Sequence, residues 1–247
     1  MSTEMEEICQ RVPRSYFWKG QLQHLFFLLL LIPGALWWLG PVANKGTFLS
    51  LNTKQWIVLH LAVVVTHQLL AWLVFRLQMC FALFNQLFGK AALIVWGILF
   101  FPFLFARPLL LLAIGWIDRG SLTAVPYSLL VVGGLLLLVP ALYTLWSVKH
   151  YFGFSRAIGG DHFFRRYREM PLVRKGAFHY SDNAMYSFAF LALWAVALLF
   201  ASRAALVMAL FQHAYIWVHM YCTEESDLAI LYTPKTMEQN EDERLKA

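Results

Sequence analysis

The sequence predicts an all-α protein, a polytopic integral membrane helical bundle with about four full spans and a C-terminal helical hairpin. Three observations predict this fold class. Of the 247 residues, 60% are apolar and 17% are aromatic, whereas only 14% are charged, and soluble domains contain far more charge. Apolar runs about as long as a membrane-spanning helix recur along the chain. Most cations lie between these runs, as is typical of the loops of membrane proteins.

Composition also excludes several classes of protein. The net charge of +6 does not indicate nucleic acid as a partner, because lipid headgroups and the positive-inside bias account for cations beside apolar spans. The three cysteines, Cys9, Cys80 and Cys222, have no metal-type spacing, so we expect neither a metal site nor a disulfide framework. The first seven residues contain three glutamates and no cation, so they lack the basic start of a cleavable signal peptide, and we expect the first apolar run to remain in the membrane.

The chain divides into four predicted parts. Residues 1–20 form an interfacial N-terminal segment, because residues 11–20 mix cations with aromatic side chains. Residues 21–148 hold four transmembrane helices, with spans at 21–39, 56–79, 91–117 and 125–147. Residues 149–232 hold a basic loop and a membrane hairpin with arms at 186–200 and 204–221. Residues 233–247 read as a flexible acidic tail.

Two spans contain polar residues, which are costly in the bilayer core and are usually paired or functional there. His60 and His67 are seven residues apart and share a face of the second span. They either form interhelical hydrogen bonds or line a substrate cavity. Arg107 lies in the third span, and no acidic residue occurs between Glu7 and Asp118. We expect its partner to be a phosphate or a backbone carbonyl, unless the side chain extends to the membrane interface.

The last span has a polar face. Gln212, Tyr215, Ile216, His219 and Thr223 fall within a narrow arc of this helix. We refer to this row as the polar stripe, and in a membrane helix it indicates a cavity. His219 and His213 point in directions too different for a metal pair.

Three short blocks of sequence follow the fourth span. The first contains Gly153, Phe154, Gly160, Asp161 and Phe163, the second Asp182, Asn183, Met185 and Tyr186, and the third Glu224, Glu225 and Tyr232. Together they resemble the phosphatidylethanolamine N-methyltransferase family of integral membrane methyltransferases, which is related to the isoprenylcysteine carboxyl methyltransferases. The chain departs from the family pattern at Arg156 and Phe164, which stand in place of glycines, and at Ala184, which stands in place of proline.

The resemblance implies a function. It implies methylation of the headgroup amine of phosphatidylethanolamine or its methylated derivatives, toward phosphatidylcholine, with S-adenosylmethionine as the cofactor. The cofactor-binding residues that we predict are Gly153, Gly159, Gly160, Asp161, His162, Asn183, Tyr186, Glu224 and Glu225. The glycines allow close backbone approach to a ligand, and the resemblance assigns the two glutamates to the amino group or ribose hydroxyls of the cofactor.

A protonated amine cannot attack a methyl donor, so a proton must leave it. His219, His162 and Glu224 are candidate catalytic residues that accept this proton, unless positioning suffices and water accepts it. Candidate substrate-binding residues are Arg107, Arg165, Arg166, Arg168 and Tyr215. Most cations between residues 149 and 175 are expected to set membrane orientation.

Two alternatives remain at this stage. A methyltransferase of the same fold can act instead on an isoprenylcysteine carboxylate or a small thiol, and a non-catalytic transporter or scaffold would bind no cofactor. For the favoured function we expect the three blocks to meet at one membrane face. That face would lie in the cytoplasm, in a bacterial inner membrane or the endoplasmic reticulum, because four preceding spans place the basic loop on the side of the N-terminus.

Overall fold

The computed structural model describes residues 5–41 and 46–232. The predicted acidic tail at 233–247 and the first residues of the predicted interfacial segment lie outside the described residues. The α-helices are α1 (Glu6–Arg11), α2 (Gln21–Leu39), α3 (Thr53–Phe81), α4 (Leu83–Phe88), α5 (Ala92–Ile117), α6 (Tyr127–Ser147), α7 (Phe154–Ala157), α8 (Arg165–Arg168), α9 (Leu191–Leu199), α10 (Arg203–His219) and α11 (Glu225–Leu231). Two-residue strands β1 (Thr47–Phe48) and β2 (Leu51–Asn52) pair antiparallel. The all-α fold class is confirmed.

The long helices are those that the apolar runs predicted. Five described segments are long and apolar enough to cross a membrane, namely Arg14–Leu39, Thr53–Phe81, Leu83–Ile117, Tyr127–Phe152 and Arg203–Leu231. The first three contain the predicted spans 21–39, 56–79 and 91–117, and the fourth begins two residues after the start of the predicted span 125–147. The fifth is the second arm of the predicted hairpin, and the shorter apolar segment Met185–Leu199 is its first arm.

The tip of the hairpin reaches the end of the bundle where α2 and α5 end. The Asp118 carboxylate, just after α5, accepts hydrogen bonds from the Ser202 hydroxyl (2.8 Å) and the Ala204 amide (2.9 Å). The Arg203 guanidinium donates to the Trp38 carbonyl at 2.7 Å. The hairpin therefore extends through the bundle rather than entering only one side of it. We call this the tip end and the other the loop end.

Small residues allow the hairpin to pack closely. A Cβ atom at Gly134 of α6 would lie 2.9 Å from Leu199 Cγ and 3.3 Å from the Ala195 carbonyl oxygen. Ala204, Ala205 and Ala209 of α10 are buried in the core that α2, α3, α5, α9 and α10 share. Membrane helices without a hydrophobic driving force between them associate through such close contacts.

The outer surface of the bundle is apolar. Leu22, Trp37, Ile94, Ile98 and Val139 are each more than half exposed. An aqueous surface of this composition would be unfavourable, whereas the acyl chains of a bilayer accommodate it. His24, His60, His67, Arg107 and Gln212 of the long helices are buried within the bundle instead, which concentrates the chemistry inside it.

Candidate active site

The glycines of the first block form a tight turn at the loop end. Gly159 has a φ of +82°, and a Cβ there would lie 2.6 Å from Phe75 Cζ. A Cβ at Gly160 would lie 2.5 Å from the Ser155 carbonyl oxygen. Both positions therefore require glycine because the chain itself fills the space. Gly153 differs, since its φ is +87° but nothing described lies within 4 Å of a Cβ there.

The turn places His162 between two carboxylates. The His162 ring is 2% exposed and stacks on Phe75 with a centroid distance of 4.0 Å. Its Nδ1 lies 3.2 Å from Asp161 Oδ1, and its Nε2 lies 3.5 Å from Asp227 Oδ2. Burial alone would lower the pKa of His162, but the two carboxylates outweigh this effect and raise the pKa to about 9. His162 is therefore an imidazolium at neutral pH.

Asp161 joins the turn to the end of the chain that the structure describes. Its Oδ2 accepts a hydrogen bond from the Tyr232 hydroxyl at 3.1 Å, and its carbonyl oxygen accepts one from Arg168 at 2.7 Å. Burial alone would raise the pKa of Asp161, but the hydrogen bond from His162 and its positive charge lower it. The pKa of Tyr232 is raised by burial and by the charge of Asp161.

Asp227 is the centre of a buried network. Its Oδ1 accepts hydrogen bonds from Arg76 Nη1 at 2.6 Å and from the Tyr16 hydroxyl at 2.7 Å. The side chains of Arg76 and Asp227 are both 0% exposed. Arg76 also donates to the Lys19 carbonyl at 3.1 Å. The network connects the N-terminal segment, α3, the glycine turn and α11.

The second and third blocks meet at Glu224. The Tyr186 hydroxyl donates a hydrogen bond to Glu224 Oε2, and His219 Nε2 lies 3.3 Å from Glu224 Oε1. The side chain of Glu224 is 19% exposed while that of His219 is 1% exposed, so a ligand can reach this glutamate. Neither ring nitrogen of His219 makes a hydrogen bond to the residues that the structure describes.

Each block also adjoins a π-helical turn. Val148–Phe152 directly precedes Gly153, Met185–Ala189 contains Tyr186, and Met220–Glu224 ends on Glu224. A π-turn inserts one residue into a helix and rotates the side chains that follow, and such turns are frequent at functional sites. At the turn between α10 and α11, Glu224 binds Tyr186, and three residues later Asp227 binds Arg76.

The polar stripe is packed against polar side chains of other helices. The Tyr215 hydroxyl lies 2.9 Å from His24 Nε2, and Gln21 donates to the Thr223 hydroxyl at 3.3 Å. Deeper in the bundle, Gln212 accepts a hydrogen bond from Arg107 at 2.8 Å. Tyr215 and Arg107, both predicted to bind substrate, are therefore buried beneath the three blocks.

The remaining predicted residues lie at the surface of the loop end. Arg165 is exposed and pairs with Glu169 at 2.5 Å, and Arg166 and Glu225 are also exposed. Asn183 is partly buried, and its amide donates to the Ser181 hydroxyl at 3.2 Å. A cavity of about 690 Å³ lies beside α5, with apolar α5 residues, Lys90, Ser155 and Arg166 among its lining. It is distinct from the Glu224 contacts.

Sequence reasoning missed several residues of the site. Arg76, Tyr16, His24, Phe75 and Asp227 were not predicted to contribute. His24, Phe75 and Asp227 contact the predicted residues Tyr215 and His162, and Arg76 and Tyr16 bind Asp227. Asp227 could have been predicted from the sequence, because it lies three residues after Glu224 and acids are rare in apolar helices. The others come from helices distant in sequence, and their contacts depend on the tertiary fold.

The architecture defines an integral membrane protein with a polar site enclosed at one end of a helical bundle. Residues 129–235 match the model of a family described as phospholipid methyltransferase, and this segment includes all three sequence blocks. This match confirms the predicted resemblance to the phospholipid methyltransferase family over the C-terminal part of the chain. No curated protein and no solved structure matches the chain.

Proposed function

We propose that the protein transfers a methyl group from S-adenosylmethionine to the headgroup amine of phosphatidylethanolamine or its methylated derivatives. The observation that supports this most directly is the meeting of the three blocks around residues 219–232. Tyr186 binds Glu224, His162 approaches Asp227, and Tyr232 binds Asp161. All six residues in these contacts lie within the segment that matches the phospholipid methyltransferase family.

The residues present fit the cofactor. Glu224 is a partly exposed carboxylate beside a buried histidine whose ring nitrogens lack hydrogen bonds in the described part of the chain. Such a pair favours a ligand with hydroxyl or ammonium groups. Gly153 has an open side and a positive φ, which permits close approach of a ligand to its backbone. We assign Glu224 to the amino group or ribose hydroxyls of S-adenosylmethionine, with Gly153 and Asn183 nearby in the loop.

When bound, S-adenosylmethionine supplies a methyl group on a positively charged sulfur, which becomes a neutral thioether as the carbon–sulfur bond breaks and the carbon–nitrogen bond forms. The amine must lose a proton before its lone pair can attack. The residues of the bundle contribute by holding the amine in line with the methyl group and by excluding water. The partly buried contact of Tyr186 with Glu224 is suited to positioning an ammonium group before it loses its proton.

The structure favours His219 and Glu224 over His162 as acceptors of that proton. His162 has a pKa raised to about 9 and lies between two carboxylates, so it already holds a proton at neutral pH. His219 lies 3.3 Å from Glu224, and both of its ring nitrogens lack a hydrogen-bond partner among residues 5–41 and 46–232. We therefore propose that His219 with Glu224 accepts the proton, and that His162 positions the turn.

We also propose that the loop end faces the cytoplasm. Seven cations lie in this loop, namely Lys149, Arg156, Arg165, Arg166, Arg168, Arg174 and Lys175, and short loops rich in cations remain on the cytoplasmic side. Labelling of a cysteine introduced at Lys175 in sealed, right-side-out vesicles tests this orientation. Labelling without permeabilisation would contradict it.

The test of the reaction uses purified protein in micelles of mixed lipids with methyl-labelled cofactor. We expect label in phosphatidylcholine or its partially methylated precursors, and we expect Glu224→Gln and His219→Gln to lower kcat by at least about 100-fold. Glu169→Gln, in the exposed loop pair, is the matched control and should retain activity. Label in an isoprenylcysteine ester or a small thioether instead would overturn the phospholipid acceptor.

A second measurement separates the enzyme from a transporter or scaffold. Calorimetry should show saturable binding of S-adenosylhomocysteine that weakens in Glu224→Ala and in Gly153→Leu. Absence of binding to the wild-type protein, with its thermal unfolding transition intact, would favour the non-catalytic alternative. Binding that is unchanged in both variants would remove the proposed site.

A further inference from the structure

A cluster of polar side chains lies in the middle of the bundle, below the proposed reaction site. It consists of Arg107 of α5, Gln212 of α10, and His60 and His67 of α3, and we call it the Arg107 cluster. Each member is at most 4% exposed. Arg107 is ten residues from the end of α5 at Ile117, which places it about 15 Å from the tip end and near the middle of a bilayer core of about 30 Å.

The direction of every hydrogen bond in the cluster follows from its chemistry. Arg107 has only donors, so Nε donates to Gln212 Oε1 (2.8 Å) and Nη1 donates to His67 Nδ1 (3.3 Å). Because the oxygen of Gln212 faces Arg107, its Nε2 must donate to His60 Nε2 (2.9 Å). Each histidine therefore accepts on one ring nitrogen and holds its hydrogen on the other.

The polar atoms of the cluster that take no part in these hydrogen bonds are all donors. Arg107 Nη2, His67 Nε2 and His60 Nδ1 are buried and have no hydrogen-bond partner among the described residues. No described carboxylate forms an ion pair with Arg107. A buried charge without a counter-charge is strongly unfavourable, and three unmet donors beside it increase the cost. The cluster thus lacks an anionic acceptor with several oxygens.

We propose that the Arg107 cluster binds the phosphate of the phospholipid whose amine is methylated. This inference rests on the proposed function and adds the location of the phosphate. The Arg107 guanidinium lies 5.3 Å from the centre of the Phe190 ring, and Phe190 is one helical turn after Tyr186, which binds Glu224. The Arg107 guanidinium and the Tyr186–Glu224 pair therefore contact side chains on neighbouring turns of one helix, as a phosphate and an amine joined by a short ethanolamine arm require.

The order of the two sites agrees with a lipid from the leaflet at the loop end whose headgroup has been drawn into the bundle. In such a lipid the amine lies farther from the bilayer centre than the phosphate. The Tyr186–Glu224 pair likewise lies nearer the loop end than Arg107, because Tyr186 precedes Phe190, which Arg107 contacts, by four residues on the arm that runs from the loop end to the tip end. The surface cations are less suited to this role, because Arg168 donates to the Asp161 carbonyl and Arg165 pairs with Glu169.

The test compares two lipids that differ only in the phosphate. Phosphatidylethanolamine and a phosphate-free dialkylglycerol ether of ethanolamine are titrated into wild-type protein in micelles, with intrinsic tryptophan fluorescence as the readout. We expect the wild type to bind the phosphate lipid about 10- to 100-fold more tightly, as charge-assisted hydrogen bonds of this kind provide. Arg107→Gln should abolish that preference, and Arg107→Lys should retain part of it.

Two controls make the test specific. Arg119→Gln removes an exposed arginine at the tip end and should leave the preference unchanged. Binding of S-adenosylhomocysteine reports whether each variant is folded. If Arg107→Gln fails this check, the comparison rests on Arg107→Lys and on the wild type, for which equal affinity for the two lipids overturns the proposal.

The remaining outcomes also decide the question. If Arg107→Gln weakens S-adenosylhomocysteine but not its decarboxylated analogue, the occupant is the cofactor carboxylate and the proposal is wrong. If free phosphorylethanolamine binds as tightly as the lipid, the occupant is a soluble phosphate ester and the lipid assignment is wrong. Arg107-dependent lipid preference without methyl transfer would support this site while contradicting the proposed function, so the two can fail separately.

Discussion

The buried ion pair of Arg76 and Asp227 permits a quantitative prediction about stability. Both side chains are 0% exposed, and Nη1 lies 2.6 Å from Oδ1. Asp227→Ala leaves the guanidinium buried without a counter-charge, which costs about 3–5 kcal/mol of unfolding free energy. Arg76→Met leaves the carboxylate with the Tyr16 hydroxyl and the His162 imidazolium, so it should cost less than Asp227→Ala. In the double variant neither charge remains. Its loss of unfolding free energy should therefore be about 2–3 kcal/mol smaller than the sum of the losses in the two single variants.

The assay is equilibrium unfolding of the purified protein in mixed micelles, with all four members of the cycle measured at one pH. The matched control is the exposed pair of Arg165 and Glu169, whose side chains are 48% and 59% exposed. Its cycle should give a coupling below about 0.5 kcal/mol, since solvent screens exposed pairs on a helix. Equal couplings in the two cycles would refute the reasoning, because burial would then make no difference to the pair.

Three further predictions concern His162, the glycines and the hairpin tip. The pKa of His162 is raised from 6.5 to about 9. The protonated side chain therefore contributes about 3 kcal/mol to the free energy of unfolding. This contribution is fully present below pH 6.5 and is lost as the pH rises through 9. Melting temperatures measured across that window should therefore fall, and His162→Gln should flatten the curve. Gly159→Ala should destabilise by about 2 kcal/mol more than Gly153→Ala, because only the former adds a close contact with Phe75; equal losses in the same unfolding assay would contradict this. Asp118→Ala removes an acceptor of three hydrogen bonds and should lower stability by about 2–4 kcal/mol, while the KM for lipid in the methyl-transfer assay stays unchanged.

These predictions assign different tasks to neighbouring acids. Asp161 and Asp227 are buried and are engaged by protein donors, so their substitution should affect stability first. Glu224 is the acid of the third block that is both partly exposed and in contact with a buried histidine. Its substitution should affect cofactor binding and turnover with a smaller loss of stability. Measuring both quantities for the same variants separates positioning from catalysis.

Helix positions and the family could be predicted from the sequence. Apolar runs specify spans because a bilayer requires about 20 apolar residues per crossing, and the structure places helices over all four predicted spans. The three blocks identified the family because each places glycines, acids or aromatic residues at fixed local spacing. The roles of individual residues in these blocks remain predictions, which the experiments above test.

Local patterns did not distinguish residues that serve the fold from residues that face a ligand. Gly159 and Gly160 looked like a ligand cradle, yet Phe75 and the Ser155 carbonyl oxygen occupy the space beside them. His60 and His67 were open to two interpretations, and they do form interhelical hydrogen bonds while each retains one unpaired buried nitrogen in the described structure. Such distinctions depend on neighbours from other helices.

By itself the sequence determined the membrane class, the position of the apolar helices, and the family that the last part of the chain resembles. These properties follow from composition and local spacing, because a bilayer acts on each helix separately. Only the tertiary structure decided which charges are paired, that His162 lies between two carboxylates, and that Arg107 has no counter-charge among the described residues. The physical reason is that pairing and burial depend on distances between helices far apart in sequence, and helix packing alone sets those distances.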